Sequence, residues 1–220
     1  MIVDAVYTGG VRPLSGDSRA SAIVKAARAD AVALGPQGLE GDAHGDPKAH
    51  GGTEKALHLY PADHYARLAA AFPDAAHLTP GGLGENISVR GIDEAGVCLG
   101  DRHAIGTAVV EVSQPRAPCW KIDHRCGVEG IANFVALHGL TGWYYRVIVP
   151  GEIAAGMAIE LVARPADAVS LADYWRATQT HRPDPDWLER IAAACGLAAD
   201  KRRKLLDRAA WLRANTTPDP

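Results

Sequence analysis

Ala104-Ile-Gly-Thr-Ala-Val-Val-Glu-Val-Ser-Gln-Pro-Arg-Ala-Pro-Cys-Trp-Lys121 is the stretch that decides how this chain is read. Its first half predicts a strand over residues 104–112, interrupted at Gly106 and resumed through the β-branched run Thr107-Ala-Val-Val-Glu-Val112. Its second half leaves the strand through two prolines and presents one thiol, Cys119. Arg116 lies three residues before that thiol and Lys121 two residues after it. Cations so placed favour an anionic sulfur, the form that attacks electrophiles and binds metals. A buried structural cysteine fits the same residues, so the meaning of Cys119 depends on its company.

Around this stretch the chain reads as β-rich. Further strands are predicted over residues 2–8, closed by Gly9-Gly10, over 143–149, ended by Pro150-Gly151, and over 158–162, after the Gly156-Met157 turn. Two helical stretches lie between them. One covers residues 61–72, opened by Pro61 and stopped by Pro73; the other covers 131–138, stopped by Gly139. Several strands with few helical crossovers indicate a barrel or strongly curved sheet, not a doubly wound one. The class is therefore mixed α+β and β-rich, with a first domain over residues 1–164.

After Arg164-Pro165 the pattern turns helical, and residues 165–220 read as a three-helix extension. Ser170 caps the first helix. Asp184 and Pro185 open the second, in which Leu188, Ile191 and Cys195 share a face and Gly196 ends the run. Asp200 opens the third, with Leu205, Ala209 and Leu212 at helical spacing. Trp175, Trp187 and Trp211 are expected to pack the three together, and residues 216–220 to fray.

The 220 residues carry a formal charge of −3, which gives no footprint for nucleic acid or for a membrane surface. Cys98, Cys119, Cys126 and Cys195 form no C-x-x-C pair and no disulfide framework, so a reducing compartment is expected. Met1-Ile-Val-Asp4 has no secretory pattern, and no stretch approaches the roughly 18 apolar residues of a membrane helix. These features predict a cytoplasmic protein. The chain also lacks the glycine fingerprint of a dinucleotide fold and the lysine-bearing phosphate loop. A redox enzyme built this way needs a separate reductase for its electrons.

Cys119 keeps glycine-rich, polar company: Gly38-Leu-Glu-Gly-Asp42, His50-Gly51-Gly52 and Gly81-Gly-Leu-Gly-Glu85-Asn86. Glycines let backbone approach a ligand closely, so polar residues beside them collect at sites. Each cluster alone is an ordinary turn. Together and in this order, with Ala56-Leu57, Tyr60-Pro61, Gly100-Asp101 and Ser113-Gln-Pro-Arg-x-Pro-Cys119, they resemble the MOSC domain family, found at the C-terminus of molybdenum-cofactor sulfurases. The likeness is greatest to its stand-alone, YiiM-type branch, and the matching motifs span roughly residues 38–121. Ile87 stands where leucine is usual, a mild departure.

The resemblance implies a MOSC β-barrel with a three-helix extension and a protein that binds molybdenum cofactor. In the related amidoxime-reducing enzymes the cysteine at this position ligates molybdenum, which assigns that role to Cys119, a soft donor suited to a thiophilic metal. Arg116 suits a phosphate or pterin oxygen. Lys121 is a second cation, and Lys25 resembles a basic position of the branch. Asp42, Glu85 and Asn86 offer the groups that a pterin's amide edge requires, or else cap helices and bridge loops. His50, with Gly51 and Gly52, shapes the pocket and donates to substrate or cofactor, unless it is a structural histidine. His44, His50, His58 and His64 fit no compact zinc pattern.

The activity implied by the resemblance is reduction of N-hydroxylated compounds such as 6-N-hydroxylaminopurine, a mutagenic base analogue. Two other classes stay open. One is a cofactor or sulfur carrier working through a Cys119 persulfide. The other is a metal-free cysteine enzyme with His50 as base. Lys201-Arg-Arg-Lys204 with Arg208 and Arg213 reads as a solvated basic face, or as a dock for an acidic electron-transfer partner. The oligomeric state is unspecified, with a homodimer among the states allowed.

Overall fold

The computed structural model describes residues 1–14, 19–45 and 51–215. Its strands in chain order are β1 (Val3–Thr8), β2 (Arg12–Pro13), β3 (Ala20–Ser21), β4 (Ala26–Arg28), β5 (Val32–Gly35), β6 (Gly38–Leu39) and β7 (Leu57–Pro61). After them come β8 (Ile87–Val89), β9 (Arg102–Ile105), β10 (Ala108–Pro115), β11 (Trp143–Val149), β12 (Gly151–Ile153) and β13 (Ile159–Ala163). The α-helices are α1 (His64–Ala71), α2 (Lys121–Cys126), α3 (Ile131–His138), α4 (Leu171–Gln179), α5 (Pro185–Ala193) and α6 (Ala199–Ala214).

One eight-stranded sheet runs β13-β9-β10-β11-β7-β8-β1-β4, antiparallel throughout except between β7 and β8. It curls until β13, at one end, meets the chain at the start of β1, the strand next to the other end. Ile2 bridges Ala158, the Val3 amide donates to Met157 O at 2.9 Å, and the Ile159 amide donates to Met1 O at 2.8 Å. The expected barrel is a strongly curved sheet joined to itself across residues 1–3 and 157–159, and among the described residues no pair of named strands closes it. A smaller sheet, β12-β5-β6, lies beside it.

Alternation along the strands separates two cores. Leu57 and Leu59 of β7, Val110 and Val112 of β10, and Trp143 and Tyr145 of β11 join one large cluster. Tyr60 turns the other way and packs with Tyr65 and Leu68 of α1, Leu83, Ile122 of α2, and Ile131 and Val135 of α3. Each fully buried aliphatic side chain contributes about 1.5–3 kcal/mol. A cleft lined in part by Ile23 and Leu83 opens on this second, helix-covered side.

The three C-terminal helices form, but the second ends at Ala193, before Gly196, and the third starts at Ala199 behind Ala198, so Asp200 does not open it. Ser170 accepts the Asp173 amide (3.0 Å), and Asp184 accepts the Asp186 amide (2.9 Å) with Pro185 at the start of α5. Leu188, Ile191, Leu205, Ala209 and Leu212 join the same apolar cluster as Val110 and Val112. Trp175 anchors α4 by donating its indole N–H to Ala136 O at 2.7 Å, and Trp187 packs against the large cluster. Trp211 departs from expectation: it is 56% exposed and packs nothing together. Cys195 lies beyond the end of α5 and is exposed, so it shares no face with Leu188 and Ile191.

Two boundaries also move. Gly106, at φ 58°, does not interrupt one strand but turns a hairpin in which Ala108 pairs with Ile105. Pro61 ends β7 and opens no helix; α1 starts at His64. Residues 216–220, expected to fray, lie outside the described residues.

Candidate active site

β10 carries the chain to the site. Beyond Pro115 the Arg116 amide still donates to Gly142 O at 3.0 Å, which extends the β10–β11 pairing by one step. Arg116 is 5% exposed, and its Nη2 donates to Leu83 O at 3.3 Å. Its Nη1 is buried and has no hydrogen-bond partner among the described residues. Ala117 and Pro118 then bend the chain, and Cys119 O accepts the Ile122 amide (3.0 Å) at the start of α2. The Cys119 thiol is left half-buried. Lys121 reaches across to donate to Ala20 O at 3.2 Å.

Lys25 arrives from the other wall. Its ammonium lies 2.5 Å from Asp42 Oδ2, with the two side chains only 6% and 3% exposed. Asp42 also accepts the Gly9 amide at 2.9 Å and the Asn86 amide nitrogen at 2.8 Å. Asn86 in turn accepts the His58 amide at 3.0 Å. Burial pushes the Lys25 pKa below the ordinary lysine value, and Asp42 opposes that shift.

Lys25, Asn86, Arg116, Cys119 and Lys121 line one cleft of about 550 Å³. Lys55, His44, His58 and Tyr144 also line it. Four cations face a single soft thiol in a chain whose net charge is −3. That donor set fits an anionic ligand bearing a thiophilic metal. Burial lowers the His44 pKa and raises that of Tyr144, the Arg116 guanidinium working against the latter.

The MOSC domain family matches residues 46–160, more than half of the chain. This protein belongs to the MOSC domain family. It is 37% identical to Protein YiiM of Escherichia coli (strain K12) over 205 residues, 92% of this chain and 90% of that one. The crystal structure of YiiM from Escherichia coli superposes with TM-score 0.79 at 31% identity, covering 96% of this chain and 94% of that one. YiiM from Geobacillus stearothermophilus gives TM-score 0.79 at 29% identity, covering 94% and 97%. A protein named Reductase from Gibberella moniliformis is 37% identical over 147 residues, 66% of this chain but 26% of its own length.

Within the MOSC fold the residues singled out by sequence do not all reach the cleft. Cys119, Arg116, Lys121, Lys25 and Asn86 line it, and Asp42 sits beneath Lys25. Glu85 is wholly buried away from it. Its carboxylate accepts from the Tyr65 hydroxyl (2.7 Å), the Gly81 amide (2.6 Å), the Leu83 amide (3.2 Å) and the Ser88 hydroxyl (3.1 Å). It therefore clamps the Gly81–Gly84 turn. Gly51 is described but does not line the cleft, and His50 lies outside the described residues.

Sequence reasoning missed Lys55, His44, His58 and Tyr144 as wall residues. For two of them a signal existed. Tyr144 pairs with His58 across β11 and β7, and both alternate with core residues, Trp143 and Tyr145 on one strand, Leu57 and Leu59 on the other. No helix among the described residues is long and apolar enough to cross a membrane.

Proposed function

We propose that this MOSC-family chain is a cytoplasmic oxidoreductase that holds molybdenum cofactor in the Cys119 cleft. It reduces small N-hydroxylated compounds, such as 6-N-hydroxylaminopurine, to the amine, with electrons from a separate reductase. The observation carrying this reading is the convergence of Cys119 with Lys25, Arg116 and Lys121 on one cleft. Bound there, the cofactor would supply the two-electron redox chemistry that cleavage of an N–O bond requires.

The protein's own residues have separable roles. Cys119 is the soft donor to the metal. Arg116 offers a buried guanidinium nitrogen that has no partner among the described residues, suited to a phosphate or pterin oxygen. Lys25 and Lys121 add positive charge to the cleft. Asn86 has both amide atoms engaged by protein, so it acts through Asp42 by fixing Lys25 in place. The relative named Reductase supports the oxidoreductase class.

A reductase-coupled assay on protein purified from a cofactor-competent host tests the reading, with 6-N-hydroxylaminopurine as substrate. Adenine formation that depends on Cys119 is expected. A cofactor-loaded protein that forms no adenine, and instead carries persulfide on Cys119, would place it among sulfur carriers.

A further inference from the structure

Tyr60, Gln114, Arg116 and Thr141 are 5% exposed or less, and each keeps a side-chain polar atom with no hydrogen-bond partner among the described residues. Buried polar groups are seldom left so unless ordered water completes them.

The backbones that carry these groups run side by side. The Arg116 amide donates to Gly142 O, and Gly142 follows Thr141 directly. Trp143 pairs with Leu59, so Gly142 falls opposite Tyr60 on the neighbouring strand. The approach is close enough that a Cβ at position 142 would meet the Tyr60 ring at 2.9 Å. Gln114 pairs with Tyr144 in the adjacent row.

On its far side the Tyr60 ring meets His64 edge-on, with centroids 5.5 Å apart. His64 Nε2 lies 2.8 Å from Glu94 Oε2, and the other Glu94 oxygen accepts the Gly142 amide at 2.6 Å. His64 and Glu94 line a solvent-open groove of about 950 Å³, separate from the cleft that Arg116 lines.

We propose that ordered water binds among Tyr60, Thr141 and Gln114, and that this seam carries protons from the His64–Glu94 groove to the cleft beside Arg116. The inference rests on the reaction proposed above. Reduction of R–NH–OH breaks the N–O bond, takes two electrons from the separate reductase and two protons from solvent, and releases R–NH2 and water. The electrons have an external source; the seam gives the protons theirs. Burial, with Glu94 and Glu85 adding to it, keeps the Tyr60 hydroxyl protonated. Tyr60 thus passes a proton by accepting one and donating another. It is a positioning residue, since it acts through water and touches no reacting atom.

A high-resolution crystal structure of the metal-free protein, with Tyr60→Phe and His64→Gln variants, tests the proposal. Ordered water on the Tyr60 hydroxyl is expected. Both variants are expected to retain wild-type molybdenum content and KM, while kcat falls about 10-fold and its solvent deuterium isotope effect rises. A dry seam overturns the proposal, as do variants with wild-type kcat and isotope effect. A wet seam in a cofactor-loaded protein that reduces no N-hydroxylated substrate strikes the reaction itself. The conduit role falls with it, and the water site is left standing.

Discussion

Lys25 and Asp42 form an ion pair at 2.5 Å with almost none of either side chain in solvent. Removing one member of such a pair leaves the other charged and buried, at a cost of about 3–5 kcal/mol. The pair lies between the first glycine-rich motif and the cleft, so its geometry links folding to ligand binding.

Asp42→Asn is therefore expected to destabilise the fold by about 3 kcal/mol in urea denaturation at neutral pH. The pH dependence has a definite sign. Burial depresses the Lys25 pKa, so between that value and 10.5 the unfolded chain binds more protons and stability rises with pH. The variant, lacking the opposing carboxylate, should regain more stability than wild type as the pH is raised toward 10.5. Equal urea midpoints for the two proteins would contradict this.

Glu85 is predicted to matter for the fold and not for the ligand. Glu85→Gln leaves one oxygen as acceptor but replaces the other with a donor facing N–H and O–H groups that already donate. A loss of about 2 kcal/mol is expected, with cofactor content per folded molecule unchanged. Cofactor loss without destabilisation would mean that Glu85 serves the cleft directly.

His103 supplies an acid-sensitive element. It is 2% exposed, shares a 3.0 Å hydrogen bond with the Tyr145 hydroxyl, and has its pKa lowered by burial to about 4. Between the ordinary value of 6.5 and about 4 the unfolded chain binds the extra proton. Stability from this site is complete above 6.5 and lost as the pH falls through 4, by up to about 3 kcal/mol. Thermal denaturation from pH 7 to pH 4 should decline less steeply in His103→Gln; parallel curves would exclude the role.

Local signals gave β1, β11, α3 and the capped C-terminal helices because each rests on periodicity with a nearby stop. They failed where one residue serves two geometries. Gly106 breaks a strand or turns a hairpin according to whether β9 and β10 pair, which is a tertiary fact. Pro61 suits the first turn of a helix or the end of a strand, and the parallel partner β8 decides for the strand. Short β8, β6 and β4 carry too few residues to announce themselves.

At the site, Cys119, Arg116 and Lys121 were legible because they are sequence neighbours. Lys25 joined them only through the resemblance. Glu85 stayed open between two roles because an acceptor clamping a glycine turn and an acceptor facing a ligand have the same local sequence. His58 and Tyr144 come together only across the β7–β11 ladder.

The most direct measurement is molybdenum and pterin content of wild type and Cys119→Ala, purified from a cofactor-competent host and analysed by elemental mass spectrometry. The cleft geometry predicts near-stoichiometric metal with pterin in the wild type and loss of the metal in the variant. A wild-type protein carrying neither metal nor pterin, or a variant retaining both, would contradict the assignment of this cleft to the cofactor through Cys119.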